Sequence, residues 1–368
     1  MGNKLETLLE RMNTYMVPPG VGVHTVHTAK EKKEGLEKQL KKIFSDVSRK
    51  TLLENKFKNK KKTDSEIYLL GIPSDSGGGI LRGANWGPLF LREELIKKAQ
   101  LGSVTYPFDL GDVWVNPHLL WDEYLSSTTI KNCQLAMYQG KSLPVSPLSI
   151  CFDFLQHFYE CFPHSKILSM GGDHSVSYPT VRQYLERKKN EGIRVGVLHF
   201  DAHTDLLEQR LGISYCFASW AYHMLQYLQN PKDFIQIGIR STGKTKDHWE
   251  KTLGVKQYWA YEFIHSCEET SMQIIQHLKD NGIQEIYLSF DIDVLDKQLV
   301  SKTGTPEENG LNMDHIKTIF FHLQKSGIKV TGADIVELAP FIQAINSNDK
   351  TLEVCGEIME MLLQLLNL

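Results

Sequence analysis

The strongest constraint on the fold is a series of short, nearly continuous apolar runs that alternate with longer stretches of helical periodicity. Six such runs, rich in β-branched residues, lie at 67–72, 166–170, 194–200, 234–239, 285–290 and 329–333. Strands that are apolar at almost every position are buried on both faces, as in parallel sheets whose crossover helices cover each side. The sequence therefore predicts an α/β fold with a mostly parallel sheet between helices.

Acidic residues and histidines follow four of these runs directly, in the segments 171–175, 201–205, 291–293 and 334–337. In parallel α/β sheets the functional groups gather just beyond the carboxyl ends of the strands. Residues two positions apart in an extended segment point the same way, so Asp201, His203 and Asp205 should share one side. Asp291 and Asp293 have the same spacing. The pattern predicts one cluster of carboxylates and imidazoles, with His174 as a further member.

A cluster of this composition needs cations. Several unpaired carboxylates packed together repel one another strongly unless positive charge lies between them. Two histidines and four aspartates suit two cations better than one, and mixed nitrogen and oxygen ligands favour Mn²⁺ over the metals that prefer sulfur. Ni²⁺ is compatible with the same ligand set. The sequence thus predicts a centre with two divalent cations.

Three motifs resemble the signatures of the ureohydrolases, the arginase/agmatinase family. They read Gly-Gly-Asp-His-Ser at 171–175, Asp-Ala-His-Thr-Asp at 201–205 and Ser-Phe-Asp-Ile-Asp-Val-Leu-Asp at 289–296. Supporting matches are Gly-Pro-Leu-Phe-Leu-Arg at 87–92, Thr-Gly-Thr-Pro at 303–306 and Asp-Ile-Val-Glu at 334–337. The resemblance runs from about residue 66 to the last residue, and it implies a three-layer α/β/α sandwich around a mostly parallel sheet.

The resemblance also implies an activity and roles for individual residues. It predicts a metal-dependent hydrolase of linear amidine C–N bonds, with two Mn²⁺ per subunit and a homo-oligomer, a trimer or hexamer. Glu337 is expected to hold the guanidinium of the substrate, and Asp205 to hold the attacking water. The expected metal ligands are His174 and Asp205 for one cation, His203 and Asp293 for the other, and Asp201 and Asp291 bridging both.

The sequence departs from the family pattern at two positions that bear on the substrate. A His-Gly pair usually follows the Asp-x-His-x-Asp motif, but Cys216 stands near that place and His223 lies seven residues further on. Leu207 occupies the position where arginases carry an asparagine that binds the amino-acid end of arginine. We therefore expect hydrolysis of a guanidino compound to urea and an amine, with an agmatine-like or small guanidine preferred over arginine. The alternatives are a formimidoyl or amidine hydrolase, resembling formimidoylglutamase, and a non-catalytic metal-binding relative.

Residues 1–65 differ from the rest of the chain, and we predict a helical, Lys-rich extension before a catalytic domain at 66–368. Apolar residues recur at helical spacing at 5–16 and again at 36–47, and a run of lysines lies at 56–62. The stretch 30–62 carries a net charge of +8, which leaves −11 for the remainder of a chain whose total is −3. Few aromatic residues accompany the lysines, so no nucleic-acid partner is expected. No apolar run approaches the roughly 20 residues of a membrane span, and no apolar signal core is found near Met1. We expect a cytoplasmic protein with reduced cysteines.

Overall fold

The computed structural model describes residues 2–24, 54–55, 66–346 and 349–368. Within these ranges nine strands form one sheet: β1 (Met16–Val17), β2 (Ile67–Ile72), β3 (Phe108–Val113), β4 (Lys166–Gly171), β5 (Val195–Phe200), β6 (Phe234–Ile239), β7 (Lys256–Trp259), β8 (Glu285–Asp291) and β9 (Lys329–Val336). The order across the sheet is β1-β3-β2-β4-β9-β8-β5-β6-β7. Every neighbouring pair is parallel except β1 and β3, which are antiparallel.

Helices cover both faces of the sheet. In the described ranges they are α1 (Gly2–Tyr15), α2 (Gly87–Gln100), α3 (Ser127–Tyr138), α4 (Pro147–Cys161), α5 (Ser177–Asn190), α6 (Trp220–Met224), α7 (Lys246–Leu253), α8 (Ala260–Asp280), α9 (Met313–Ser326) and α10 (Thr351–Leu366). Helices α2, α8, α9 and α10 bury their apolar residues in the core on one face. Helices α1, α4, α5 and α6 pack into a second core on the other. None of the described helices has the length and apolar character needed to cross a membrane.

The strands read as expected for a sheet enclosed on both sides. All six residues of β5 and all six of β6 are buried. Along β2, Leu69 contributes to one core and its neighbours Tyr68 and Leu70 contribute to the other, because successive side chains point to opposite faces. The structure confirms the prediction of an α/β/α sandwich with a mostly parallel sheet.

The sequence analysis missed three strands, and one predicted strand, β9, ends three residues later than expected. The missed strands β1, β3 and β7 all lie toward the edges of the sheet, where the apolar pattern is weaker. Strand β9 continues to Val336, so Asp334 lies within the sheet and only Glu337 follows its end. Asp334 is fully buried and accepts hydrogen bonds from the hydroxyls of Tyr287, Ser289 and Ser177.

The first part of the predicted extension is built into the sheet and its helical layer. The spacing of Leu5, Leu8 and Met12 predicted a helix, and α1 buries these side chains. Strand β1 follows it and pairs with β3. The second predicted helical segment, at 36–47, and the lysine run at 56–62 lie outside the described residues.

Candidate metal centre

Four neighbouring strands in the middle of the sheet carry the predicted site. Strands β4, β9, β8 and β5 are adjacent in this order, and all run in the same direction. Phe200 of β5 is level with Phe290 of β8, and Asp291 of β8 is level with Val336 of β9. This register brings the segments after the strands to one edge, and with them every predicted site residue: His174, Asp201, His203, Asp205, Asp291, Asp293 and Glu337.

A close approach of two loops positions His174. The backbone N–H of Gly172 donates to Ile72, and that of Asp173 donates to Ser74. A Cβ atom on residue 172 would lie 1.7 Å from the carbonyl oxygen of Ser74, so only glycine fits there. The contact holds the start of the His174 turn against the segment after β2.

His174 lies at the centre of three carboxylates. Its Nδ1 atom is 3.0 Å from Oδ2 of Asp201, 3.1 Å from Oδ2 of Asp291 and 3.2 Å from Oδ2 of Asp205. All four side chains are nearly inaccessible to solvent. Ligand atoms around an octahedral cation with bonds of about 2.1 Å lie about 3 Å apart, which is the spacing seen here.

The hydrogen bonds on the other side of the His174 ring leave Nδ1 without a hydrogen and with a free lone pair. The hydroxyl of Ser289 donates to Asp334 at 2.7 Å, so its oxygen accepts from Nε2 of His174 at 3.1 Å. A neutral imidazole with its hydrogen on Nε2 has none on Nδ1. Nδ1 is buried, has no hydrogen-bond partner among the described residues, and faces three carboxylate oxygens. A cation is the group that would satisfy all four atoms, so these residues fit a metal.

A second group of ligand atoms lies beside the first. Nδ1 of His203 is 3.1 Å from Oδ2 of Asp293 and 3.4 Å from Oδ1 of Asp201. The hydroxyl of Thr305 donates to the same Asp293 oxygen at 2.9 Å. Asp201 therefore faces both groups, with Oδ2 toward His174 and Oδ1 toward His203. This arrangement suits a carboxylate that bridges two cations.

Asp291 belongs to the first group in this structure. Its Oδ2 atom faces His174, while Oδ1 accepts the backbone N–H of Asp293 at 2.8 Å. A bridging role for Asp291 stays a prediction.

The charges of the cluster interact strongly. Burial raises the pKa of Asp291 well above its usual range, and the carboxylates of Asp293 and Asp201 raise it further. Burial and Asp201 likewise raise the pKa of Asp205. Although burial opposes the shift, Asp293 and Asp201 raise the pKa of His203 to about 12. Protons and divalent cations therefore compete for the same lone pairs.

Two of the predicted site residues have a left-handed backbone. Asp205 has a φ of 51° and Glu337 a φ of 68°. This conformation is uncommon for residues other than glycine, and it concentrates at functional sites where the surrounding structure enforces it. Asp205 thus leaves the extended path that its spacing predicted, yet its carboxylate still reaches His174. The turn at Asp205 is fixed further by the indole N–H of Trp220, which donates to Asp205 at 2.9 Å.

Glu337 lies next to the first group of ligands. Its Oε1 atom accepts the backbone N–H of His174 at 2.7 Å, and its side chain is buried. Burial raises the pKa of Glu337 well above its usual range, and the nearby carboxylates of Asp291 and Asp173 add to the effect. A cationic ligand beside Glu337 would pair with its carboxylate and offset the free-energy cost of burying the negative charge.

His199 is a member of the cluster that the sequence analysis missed. It is fully buried in β5, and its Nε2 atom is 2.8 Å from Oδ2 of Asp201. Polar residues within otherwise apolar strands, His199 in β5 and Gln236 in β6, were the available signal.

A chain of hydrogen bonds settles the role of His199. The indole of Trp259 can only donate, so Oε1 of Gln257 faces it at 2.9 Å and Nε2 of Gln257 donates to Gln236. Nε2 of Gln236 then donates to Nδ1 of His199 at 2.9 Å. His199 must carry its hydrogen on Nε2 and donate it to Asp201. In this arrangement His199 orients Asp201, a candidate metal ligand, and its own two ring nitrogens are both engaged in hydrogen bonds.

The segment after Asp205 brings no further histidine to the cluster. His223 points to the backbone carbonyl of Glu208 at 2.9 Å. Cys216 is buried, and its thiol contacts the hydroxyl of Ser219 at 3.2 Å. Leu207 is 42% exposed and provides no hydrogen-bonding group.

A cavity of about 420 Å³ opens beside the second group of ligands. Because His203 and Asp205 line it, a small molecule in the cavity would lie beside these two candidate metal ligands. Among the residues that line it are His203, Asp205, Leu207, Arg210, Phe217 and Trp249.

Comparisons with known proteins agree with this geometry. The family model described as Arginase family matches residues 65–363. Over 291 residues the chain is 30% identical to the guanidino acid hydrolase, mitochondrial, of Homo sapiens, with 75% of this chain and 72% of that protein covered. It is 28% identical to the guanidinobutyrase of Pseudomonas aeruginosa, with 75% and 79% covered.

Solved structures share the fold. The formimidoylglutamase of Bacillus subtilis superposes with a TM-score of 0.64 at 20% identity, covering 84% of this chain and 89% of that chain. The arginase of Bacillus subtilis superposes with a TM-score of 0.62 at 23% identity, covering 81% and 98%.

Proposed function

The chain belongs to the arginase family, whose members hydrolyse amidine C–N bonds, and we propose that it cleaves a small guanidino compound to urea and an amine. One observation carries the proposal: the unpaired Nδ1 of His174 faces three carboxylate oxygens beside a buried glutamate. The relatives named guanidino acid hydrolase and guanidinobutyrase support a guanidino substrate. The sequence favours an agmatine-like or other small guanidine over arginine, since Leu207 offers no hydrogen bond to an amino-acid end.

The proposed centre holds two divalent cations, with Mn²⁺ as the expected metal and Ni²⁺ as the alternative. His174 and Asp205 would bind one cation, His203 and Asp293 the other, and Asp201 both, with Asp291 as the second bridging ligand. Such cations lower the pKa of water and so supply hydroxide near neutral pH.

The protein's own residues then direct the reaction. Glu337 pairs with the guanidinium through charge-assisted hydrogen bonds and turns its carbon toward the ligand cluster. Asp205 accepts a proton from the attacking water and passes it to the leaving nitrogen. A C–O bond forms at the guanidinium carbon and the C–N bond to the alkyl group breaks, which releases urea and a primary amine.

A formimidoyl substrate is the second candidate, because the structure turns His223 away from the cluster and toward Glu208. A reaction that needs no second histidine to carry protons would tolerate this arrangement. Its products would be formamide or ammonia, with no urea.

Product analysis separates the two candidates. Protein loaded with Mn²⁺, and separately with Ni²⁺, is incubated with agmatine, guanidinobutyrate, arginine, guanidine and formimidoylglutamate while urea, ammonia and formamide are measured. We expect urea from at least one guanidino substrate. Formamide or ammonia without urea would support the second candidate, and the absence of all three products would refute both.

Glu337→Gln tests the proposed substrate contact. The variant should keep its metal content and lose about 10- to 100-fold in kcat/KM, because a hydrogen bond to a charged group is replaced by a neutral one. Glu123→Gln, an exposed substitution, is the matched control. Unchanged kcat/KM in Glu337→Gln would remove this residue from the proposed site.

A further inference from the structure

The charge of the cavity beside His203 and Asp205 bears on which guanidino compound enters it. Arg210 lines this cavity and is exposed. Within the described ranges its guanidinium makes no ion pair with a carboxylate. Its Cζ atom lies 5.0 Å from the centre of the Phe217 ring, so an aromatic face holds the cation in place.

Hydrogen bonds hold the backbone of the segment that carries Arg210 at the cavity wall. The backbone groups of Arg210 and Ile213 hydrogen-bond to each other in both directions, at 2.9 and 3.0 Å, across a tight turn. Leu211 and Gly212 within the turn both have positive φ angles. The backbone N–H of Phe217 donates to Gly77 at 3.1 Å, which ties the ring to the loop after β2. These contacts hold the backbone at Arg210, and the Phe217 ring lies beside its guanidinium.

We infer that Arg210 binds a carboxylate at the far end of the substrate, so that the substrate class is the ω-guanidino carboxylic acids. This inference rests on the proposed function, in which Glu337 holds the guanidinium. The cavity that Arg210 lines also borders His203 and Asp205, so a substrate whose guanidinium lies at the ligand cluster can extend its other end toward Arg210. An unpaired guanidinium at a cavity wall is suited to a carboxylate, which it can bind through two parallel hydrogen bonds.

The remaining lining agrees with such a molecule. Leu207, Phe217 and Trp249 give the cavity apolar surface, which suits a short methylene chain. The ammonium group of an agmatine-like substrate would instead face the like charge of Arg210. On this inference the far end of the substrate is acidic, whereas the sequence analysis expected an agmatine-like amine.

Three substrates of similar length test the inference: 4-guanidinobutyrate, with a carboxylate end; agmatine, with an ammonium end; and butylguanidine, with an uncharged end. We expect wild-type protein to favour guanidinobutyrate over butylguanidine by about 10- to 100-fold in kcat/KM, the range for a hydrogen bond to a charged group. In Arg210→Gln this ratio should fall by about 10-fold or more, mainly through KM. Arg210→Glu should favour agmatine over guanidinobutyrate.

Metal content and circular dichroism are measured for each variant, and Lys279→Gln, which removes an exposed positive charge outside the cavity, is the control. A wild-type preference for agmatine, or an equal loss on all three substrates in Arg210→Gln, would overturn the inference and leave the proposed function standing. Absence of urea from every substrate would refute the proposed function, and the inference with it.

Discussion

Asp201 is the residue on which both groups of ligands depend, because Oδ2 faces His174 and Oδ1 faces His203. Although burial opposes the shift, the neighbouring imidazoles of His174, His199 and His203 hold the pKa of Asp201 well below its usual range. Asp201 is therefore ionised, and each of its two carboxylate oxygens faces one group of ligands. Spacing in the sequence predicted its place in the cluster, but the division of its two oxygens follows from the tertiary structure.

Asp201→Asn should lower the metal content of the protein from two equivalents to one or fewer, since a neutral amide replaces the shared anion. Elemental analysis of purified protein after dialysis against Mn²⁺ measures this directly. Asp247→Asn, an exposed change on α7, should retain both equivalents. Two retained equivalents in Asp201→Asn would contradict the ligand assignment.

The role of His199 could not be predicted from the sequence. Its orientation depends on Gln236 and Gln257, which only the pairing of β5, β6 and β7 brings beside it. No spacing along the chain encodes that contact. Trp220 is a similar case, because its indole reaches Asp205 only through the turn at α6.

His199→Phe should weaken Mn²⁺ affinity by about 10- to 100-fold, the usual cost of losing a group that orients a metal ligand. Metal titration followed by calorimetry gives the dissociation constants. Gln236→Leu is a second variant, which should also weaken affinity because it removes the donor that fixes the ring. Affinity equal to wild type in both folded variants would show that the hydrogen-bond chain does not orient Asp201.

Among the secondary-structure elements, α1 best shows the limits of sequence analysis. Its apolar spacing predicted a helix, but the partner of that apolar face could not be read from the sequence. In the structure the face packs on α4, and Tyr15 donates to Asp153 at 2.6 Å while Arg11 pairs with the same carboxylate at 3.1 Å. The domain boundary at residue 65 stays a prediction, yet α1 shares a core with the catalytic body.

Leu8→Ala should therefore destabilise the whole protein, by about 2–5 kcal/mol, because Leu8 is fully buried in that shared core. Urea denaturation monitored by tryptophan fluorescence measures the free energy of unfolding. Glu6→Ala on the exposed side of the same helix is the control. If the stability of the body did not change in Leu8→Ala, α1 would be an independent appendage.

At the scale of the whole molecule, the strands at the site could be predicted from the sequence, but their order in the sheet could not. Strand β9 lies between β4 and β8, although β5 to β8 separate it from β4 along the chain. That order places Glu337 beside His174, which no local pattern could predict. The motifs sufficed to predict which residues meet at this edge of the sheet, except His199, because parallel strands all bring their carboxyl ends to one edge.

The net charge is distributed unevenly along the chain, and folding concentrates part of the negative charge at the site. The stretch 30–62, with its net charge of +8, lies almost wholly outside the described residues, and the remainder carries −11. Part of that surplus is concentrated in the buried carboxylates of the site, where two divalent cations would add a charge of +4. The compartment and the oligomeric state stay predictions.

The central claim is that this cluster binds two divalent cations and thereby hydrolyses a guanidino compound. The most direct test measures urea release by metal-free protein as Mn²⁺ is added in steps, with the bound metal per chain determined at each step. We predict no urea from the metal-free protein and a rise in rate that is complete when two equivalents are bound. Urea release without bound metal, or none at saturation with any guanidino substrate, would contradict the account.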